Sequence, residues 1–100
     1  MVREAYAKSI NHLCEECSRR GYVTPLDDVD HMIPVRLRPD LRLDPENLDG
    51  LCRSHHNGFK RRLEKYAERT GQADMLPIWV KQPELRPMRF QIRKYGPMKS

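Results

Sequence analysis

The sequence predicts one small α+β domain, ordered strand, loop, strand, helix, and three observations carry that expectation. One hundred residues with 38% hydrophobic content suffice for a single core that has little stability to spare. Two pairs of metal-ligand residues, Cys14 with Cys17 and Cys52 with His55, each enclose two residues, a spacing at which a tight turn presents both donors to one tetrahedral ion. Extended, β-branched stretches then give way to an amphipathic stripe, so the apolar period changes from about two to about 3.6. A metal staple would reinforce so small a core.

Val2, Ala5, Tyr6, Ile10 and Leu13 fit a turn or two of helix as well as they fit nothing regular. Cys14-Glu15-Glu16-Cys17 reads as a knuckle from which Gly21 releases the chain. Tyr22-Val23-Thr24 and the stretch from Val29 to Val35, flanked by Pro25 and Pro34, suit short strands or extended segments. In the second, alternation predicts Val29, His31 and Ile33 on one face and Asp30 and Met32 on the other, and Pro34 confines the strand to an edge or ends it. Residues 36–46 combine charge with Pro39 and Pro45 and predict a long functional or mobile loop.

A second strand is expected from Leu48 to Cys52, with Ser54 as the N-cap of the following helix. In that helix Phe59, Leu63, Tyr66, Ala67 and Thr70 form the apolar stripe, opposed by Lys60, Arg61, Glu64, Lys65 and Glu68, and Gly71 supplies the C-cap. These features divide the chain into a core over 1–71 and a proline-containing, extended basic C-terminal arm over 72–100. Trp79 of the arm is expected to pack on its own domain or on a partner, and residues 88–95 alternate loosely enough to form a strand with a basic face.

Charge and cysteine usage bound the setting. Residues 1–80 carry 13 Lys+Arg against 13 Asp+Glu, so the net charge of +5 comes from 81–100, where Lys81, Arg86, Arg89, Arg93, Lys94 and Lys99 face Glu84 alone. Such a segment suits polyanions, since each cation placed on a phosphate releases a counterion; a solvated tail that aids solubility is the alternative. Three cysteines, no N-terminal apolar run and no stretch near the ~18 apolar residues of a membrane span predict a cytoplasmic protein with reduced thiols and no membrane partner.

Asp30-His31 in an extended segment, Asn47-Leu48, and Leu51-Cys52 with His56-Asn57 before Lys60 together resemble the HNH nuclease family. The resemblance covers 14–60 well and extends along the helix to about 70. It implies a ββα-metal (His-Me finger) core stapled by a structural zinc, and a metal-dependent DNA endonuclease activity. Many members use two Cys-x-x-Cys pairs for that zinc; here Cys52 and His55 keep the spacing of the second pair with one imidazole in place of a sulfur, an exchange zinc accepts. Small stand-alone members are similar to phage-encoded proteins that act with genome packaging, so terminase or other packaging proteins are implied partners.

The resemblance also implies roles. His31 would be the general base, a neutral imidazole able to take a proton near pH 7; the alternative is a strand histidine with a structural hydrogen bond. Asp30 and His56 would hold one catalytic divalent ion, Mg²⁺ or Mn²⁺. Spacing separates the adjacent histidines: Cys52 to His55 repeats the gap of Cys14 to Cys17, and neighbouring helical residues point about 100° apart, so His55 is assigned to zinc and His56 to catalysis. His12, two residues before Cys14, is a weaker zinc candidate and reads as a surface residue. Asn47 would fix the loop through backbone hydrogen bonds; an ordinary turn asparagine after Pro45-Glu46 is the alternative. Lys60 cannot be a metal ligand while protonated and is expected on phosphate, as is Arg53; Arg61 and Arg62 read better as a solvated helix face. Outside the resemblance, the charge of the C-terminal segment alone places Arg86, Arg89, Arg93 and Lys94 on DNA. The rival is a zinc-stapled nucleic-acid-binding or assembly module with the same fold and no turnover.

Overall fold

The structure is a computed structural model that describes residues 2–92, so Arg93, Lys94 and Lys99 lie outside the described residues. Helix α1, Val2–Ser9, leads to the short α2, Glu15–Arg19; strand β1, Asp28–His31, is followed by the loop and by β2, Leu48–Leu51. Helix α3, Arg53–His55, passes through a π-helical turn, His56–Lys60, into α4, Arg61–Arg69, and a short α5 spans Leu76–Lys81. The strand, loop, strand, helix order expected from the sequence is present.

The sheet is a two-stranded antiparallel hairpin with Asp28 opposite Leu51, Val29 opposite Gly50, Asp30 opposite Asp49 and His31 opposite Leu48. All four β2 residues are buried. Gly50 lies close to the segment after α1: a Cβ there would displace the tip of the Ile10 side chain and press on the Leu13 carbonyl. Alternation holds only as far as His31. Beyond it Met32 and Ile33 are both buried, since Pro34 ends the strand and the chain turns into the core.

The core beneath the long helix joins Met32, Ile33, Phe59, Leu63 and Ala67 to Leu76, Trp79, Val80 and Phe90. The helix closes in a Schellman arrangement, with Gly71 at φ +69° donating to the Glu68 carbonyl and Gln72 donating to that of Ala67.

Residues 2–9 take the helical one of the two readings left open, selected by packing of Ala7, Tyr6 and Val2 on Val29 and Leu48. Several local expectations are corrected. Tyr22-Val23-Thr24 is not a strand; pairing there is a single bridge between Leu13 and Pro25, and Val23 is exposed. Cys52 rather than Ser54 stands at the helix N-cap. Its sulfur points into a cysteine cluster, and Asp27 instead accepts the free Arg53 N–H at 2.6 Å. Thr70 is exposed, its hydroxyl returned to the Tyr66 carbonyl. The expected extended arm is, over its described part, a run of helical turns folded onto the core; proline starts these turns, at position 77 of α5 and at 83, where its missing N–H costs nothing.

Candidate metal centres

Two clusters of ligand-type side chains lie on either side of the His55-His56 step. The first gathers Cys14, Cys17, Cys52 and His55, whose donor atoms all lie within 4.8 Å of one another. Cys14 caps α2 and its sulfur accepts the Cys17 N–H at 3.3 Å; Cys52 and His55 sit on the first helical turn after β2. Cys17 Sγ is 3.8 Å from Cys52 Sγ, and His55 Nδ1 is 3.8, 3.4 and 3.6 Å from Cys14, Cys17 and Cys52. A tetrahedron with Zn–S bonds of ~2.3 Å has edges of about 3.8 Å between sulfurs and about 3.5 Å from sulfur to nitrogen. These four distances match the edges of a zinc tetrahedron, and all four donors lie within 4.8 Å of one another, so the residues fit a structural zinc. Burial pushes the Cys14 thiol up to about 12, so only a bound cation makes its thiolate favourable there. Burial and then Arg20 lower His55, which keeps it the neutral imidazole that zinc requires.

A dense set of charges backs this cluster. Glu16, fully buried, accepts Arg19 at 2.7 Å, Arg20 at 2.8 Å and both terminal nitrogens of Arg86 at 2.9 and 2.7 Å. Arg86 is 2% exposed, lies 4.5 Å over the Phe59 ring and also donates to the carbonyls of Trp79 and Val80. The expectation that Arg86 meets DNA is thus corrected: Glu16 offers a buried partner that the charge count could not reveal. Asp49 of β2 pairs with Arg19.

The second cluster lies where β1 passes the π-helical turn. Asp30 Oδ1 stands 3.7 Å from His56 Nε2, while His56 Nδ1 is 3.2 Å from the Asn57 side-chain oxygen. Two ligands at right angles on an ion with bonds of about 2.1 Å are about 3 Å apart, so a small inward movement of either side chain accommodates a divalent ion. Next along β1, His31 Nε2 is 2.8 Å from the Arg42 carbonyl. A carbonyl only accepts, so Nε2 carries a proton, and in the neutral ring the lone pair is then on Nδ1. Asn47, 3% exposed, clamps Ile33 at both ends, accepting its N–H at 3.0 Å and donating to its carbonyl at 3.1 Å. Its own carbonyl takes the Met32 N–H at 2.7 Å. The turn that follows His31 is thereby pinned.

Lys60 is not on the solvated face. It is 1% exposed and its ammonium donates to Asp30 Oδ2 at 2.8 Å, to the His31 carbonyl at 2.8 Å and to Glu64. The expected phosphate contact is therefore replaced by three internal acceptors, supplied because the π turn carries this residue over β1. Arg53 and Arg89 do face solvent, Arg89 lying 5.2 Å over Tyr66 and 5.1 Å over Phe90. Sequence reasoning missed Arg42, whose carbonyl holds His31 across the loop, and Glu64. The one signal for Glu64 was its position four residues after Lys60, on the same helical face.

Residues 14–62 match the model of the HNH endonuclease family. No curated protein matches the chain. A similar solved structure is that of the HNH endonuclease of the deep-sea thermophilic bacteriophage GVE2 with manganese ion, 32% identical, with a TM-score of 0.59 over 68% of this chain and 71% of that one. Sequence match, hairpin-helix fold and the separation of a cysteine-histidine cluster from an aspartate-histidine pair converge: the chain belongs to the HNH endonuclease family and is a nuclease.

Proposed function

We propose that the chain is a single-ion DNA endonuclease in which Asp30 and His56 hold the divalent ion and His31 is the general base. The observation that carries this reading is the approach of Asp30 Oδ1 to His56 Nε2 at 3.7 Å, on the strand that also bears a histidine whose Nε2 is tied to the Arg42 carbonyl. Hydrolysis adds a water oxygen to phosphorus and breaks one bridging P–O bond. His31 Nδ1 takes the proton of that water, and Asn47 keeps the turn after His31 in place. Asp30 and His56 would hold the divalent ion, which would supply Lewis-acid polarisation of the phosphoryl oxygen and charge neutralisation at the departing one. The manganese of the bacteriophage relative supports Mn²⁺, and a carboxylate-imidazole pair accepts Mg²⁺ as well.

Arg53 and Arg89, together with Arg93 and Lys94 beyond the described residues, are the cations proposed to meet the DNA backbone, with the loop residue Arg42 added to them. The bacteriophage origin of the similar structure supports a phage setting, and we extend it to action beside the genome-packaging terminase in the host cytoplasm, where the three free cysteines stay reduced. Plasmid cleavage by wild type and His31→Ala, with Mg²⁺, Mn²⁺ or EDTA at low salt, tests the core of the proposal. Cleavage lost with EDTA and with the substitution is expected. Undiminished cleavage by folded, zinc-loaded His31→Ala would overturn His31 as the base.

A further inference from the structure

Lys60 presents an unusual combination: a fully buried ammonium beside a carboxylate proposed to bind a divalent ion. Asp30 has two oxygens with different fates. Oδ2 is engaged by Lys60 Nζ at 2.8 Å, while Oδ1 faces His56 Nε2. The same ammonium is anchored by the His31 carbonyl at 2.8 Å and paired with Glu64. These three acceptors leave it no freedom to swing out to a phosphate, and its side chain is 1% exposed against 19% for Asp30 and 22% for Glu64. The π-helical turn His56–Lys60 puts one end of this device, His56, and the other, Lys60, on the same carboxylate. Such turns recur where a helix is bent to a functional purpose.

Charge counting gives the physical consequence. Asp30 and Glu64 are two negative charges with one internal positive charge between them, so the site presents a net charge of about −1 to an incoming ion. Without Lys60, both Asp30 oxygens and the Glu64 carboxylate would be free, the net charge would be about −2, and a divalent ion would bind more tightly with more of its coordination positions filled by protein.

We propose that Lys60 is a positioning residue of the metal centre, occupying Asp30 Oδ2 and neutralising Glu64 so that one Asp30 oxygen alone is offered to the divalent ion. The ion is then held by few protein atoms and keeps positions for water and phosphate. This inference rests on the reading of Asp30 and His56 as the ion's ligands.

The test is Mn²⁺ affinity of the zinc-loaded protein, read from the spectroscopic signal of free Mn²⁺, together with kcat and KM for plasmid cleavage. Removing one positive charge a few ångströms from a divalent ion is worth about tenfold in affinity even at a water-like dielectric. Lys60→Met is therefore expected to bind Mn²⁺ about tenfold more tightly while kcat falls about tenfold or more. Affinity unchanged or weakened, in protein with native circular dichroism and zinc content, overturns the proposal, because a merely structural lysine predicts that outcome. Asp30→Asn separates the two levels: Mn²⁺ binding equal to wild type would sink the metal-site reading itself, whereas lost binding keeps it. Should Lys60→Met not fold, Glu64→Gln decides. It leaves the Lys60 contact to Asp30 in place and unmasks the ammonium, so Mn²⁺ should bind about fivefold more weakly, and equal affinity overturns the proposal.

Discussion

Replacing Arg86 by methionine keeps an unbranched aliphatic stem and removes the guanidinium, and the structure allows the cost to be estimated. The substitution deletes the paired contacts to Glu16 at 2.9 and 2.7 Å and the bonds to the Trp79 and Val80 carbonyls at 2.5 and 2.9 Å. Breaking a buried ion pair from one side costs about 3–5 kcal/mol. Glu16 retains Arg19 and Arg20, which argues for the lower end, and the two carbonyls left in the interior add about 1 kcal/mol. The sum is roughly 4 kcal/mol out of the 5–15 kcal/mol typical of a domain. At about 4 °C per kcal/mol for this size, Tm should fall by about 15 °C. Thermal melts followed by circular dichroism in saturating zinc measure it, with DNA affinity determined below the transition. Glu16→Gln combined with Arg86→Met should recover part of the loss, because the buried carboxylate that has lost its third guanidinium is gone. An unchanged Tm accompanied by weaker DNA binding and a shallower salt dependence would refute the reasoning and return Arg86 to the nucleic-acid surface.

Acid should reach the same network. Burial raises Glu16, but Arg86, Arg19 and Arg20 outweigh it and hold the carboxyl below its ordinary 4.5, so its stabilising contribution is present above that value and lost as pH falls through the folded-state pKa. Urea melts from about pH 6 to pH 3 should show a steeper acid loss in wild type than in Glu16→Gln; parallel curves would contradict the assignment. Chelation of zinc should abolish the cooperative thermal transition, since the Cys14, Cys17, Cys52 and His55 cluster ties α2 to the start of α3 and binding there is coupled to folding; a retained transition would count against it. Asn47→Ala removes both bonds to Ile33 and should cost about 2 kcal/mol and lower kcat with Mn²⁺ affinity preserved. Loss of Mn²⁺ binding in the folded variant would instead make Asn47 part of the ion's own site.

The parts of this protein that depend on spacing were legible in the chain. Cys14, Cys17, Cys52 and His55 could be grouped because two-residue gaps impose a turn geometry, and the same geometry, with the 100° step of a helix, separated His55 from His56. The structure places His55 among the cysteines and His56 beside Asp30. The helix stripe from Phe59 through Leu63 to Ala67 and the Gly71 cap followed from periodicity and from the positive φ that glycine tolerates. What the chain alone could not disclose is which charges become internal. Lys60 and Arg86 look like surface cations in any one-dimensional reading, and both are buried because a partner distant in sequence waits for them: Asp30, 30 residues away, and Glu16, 70 residues away. The proline-bearing segment after Gly71 likewise read as an arm, since Trp79, Val80 and Phe90 have no local period. It folds because these side chains complete an apolar surface on α4 and the turn after β1. Local propensity and spacing are properties of neighbours along the chain; desolvation of a charge is decided only when remote segments meet, because its cost is repaid by a partner that tertiary packing alone can bring.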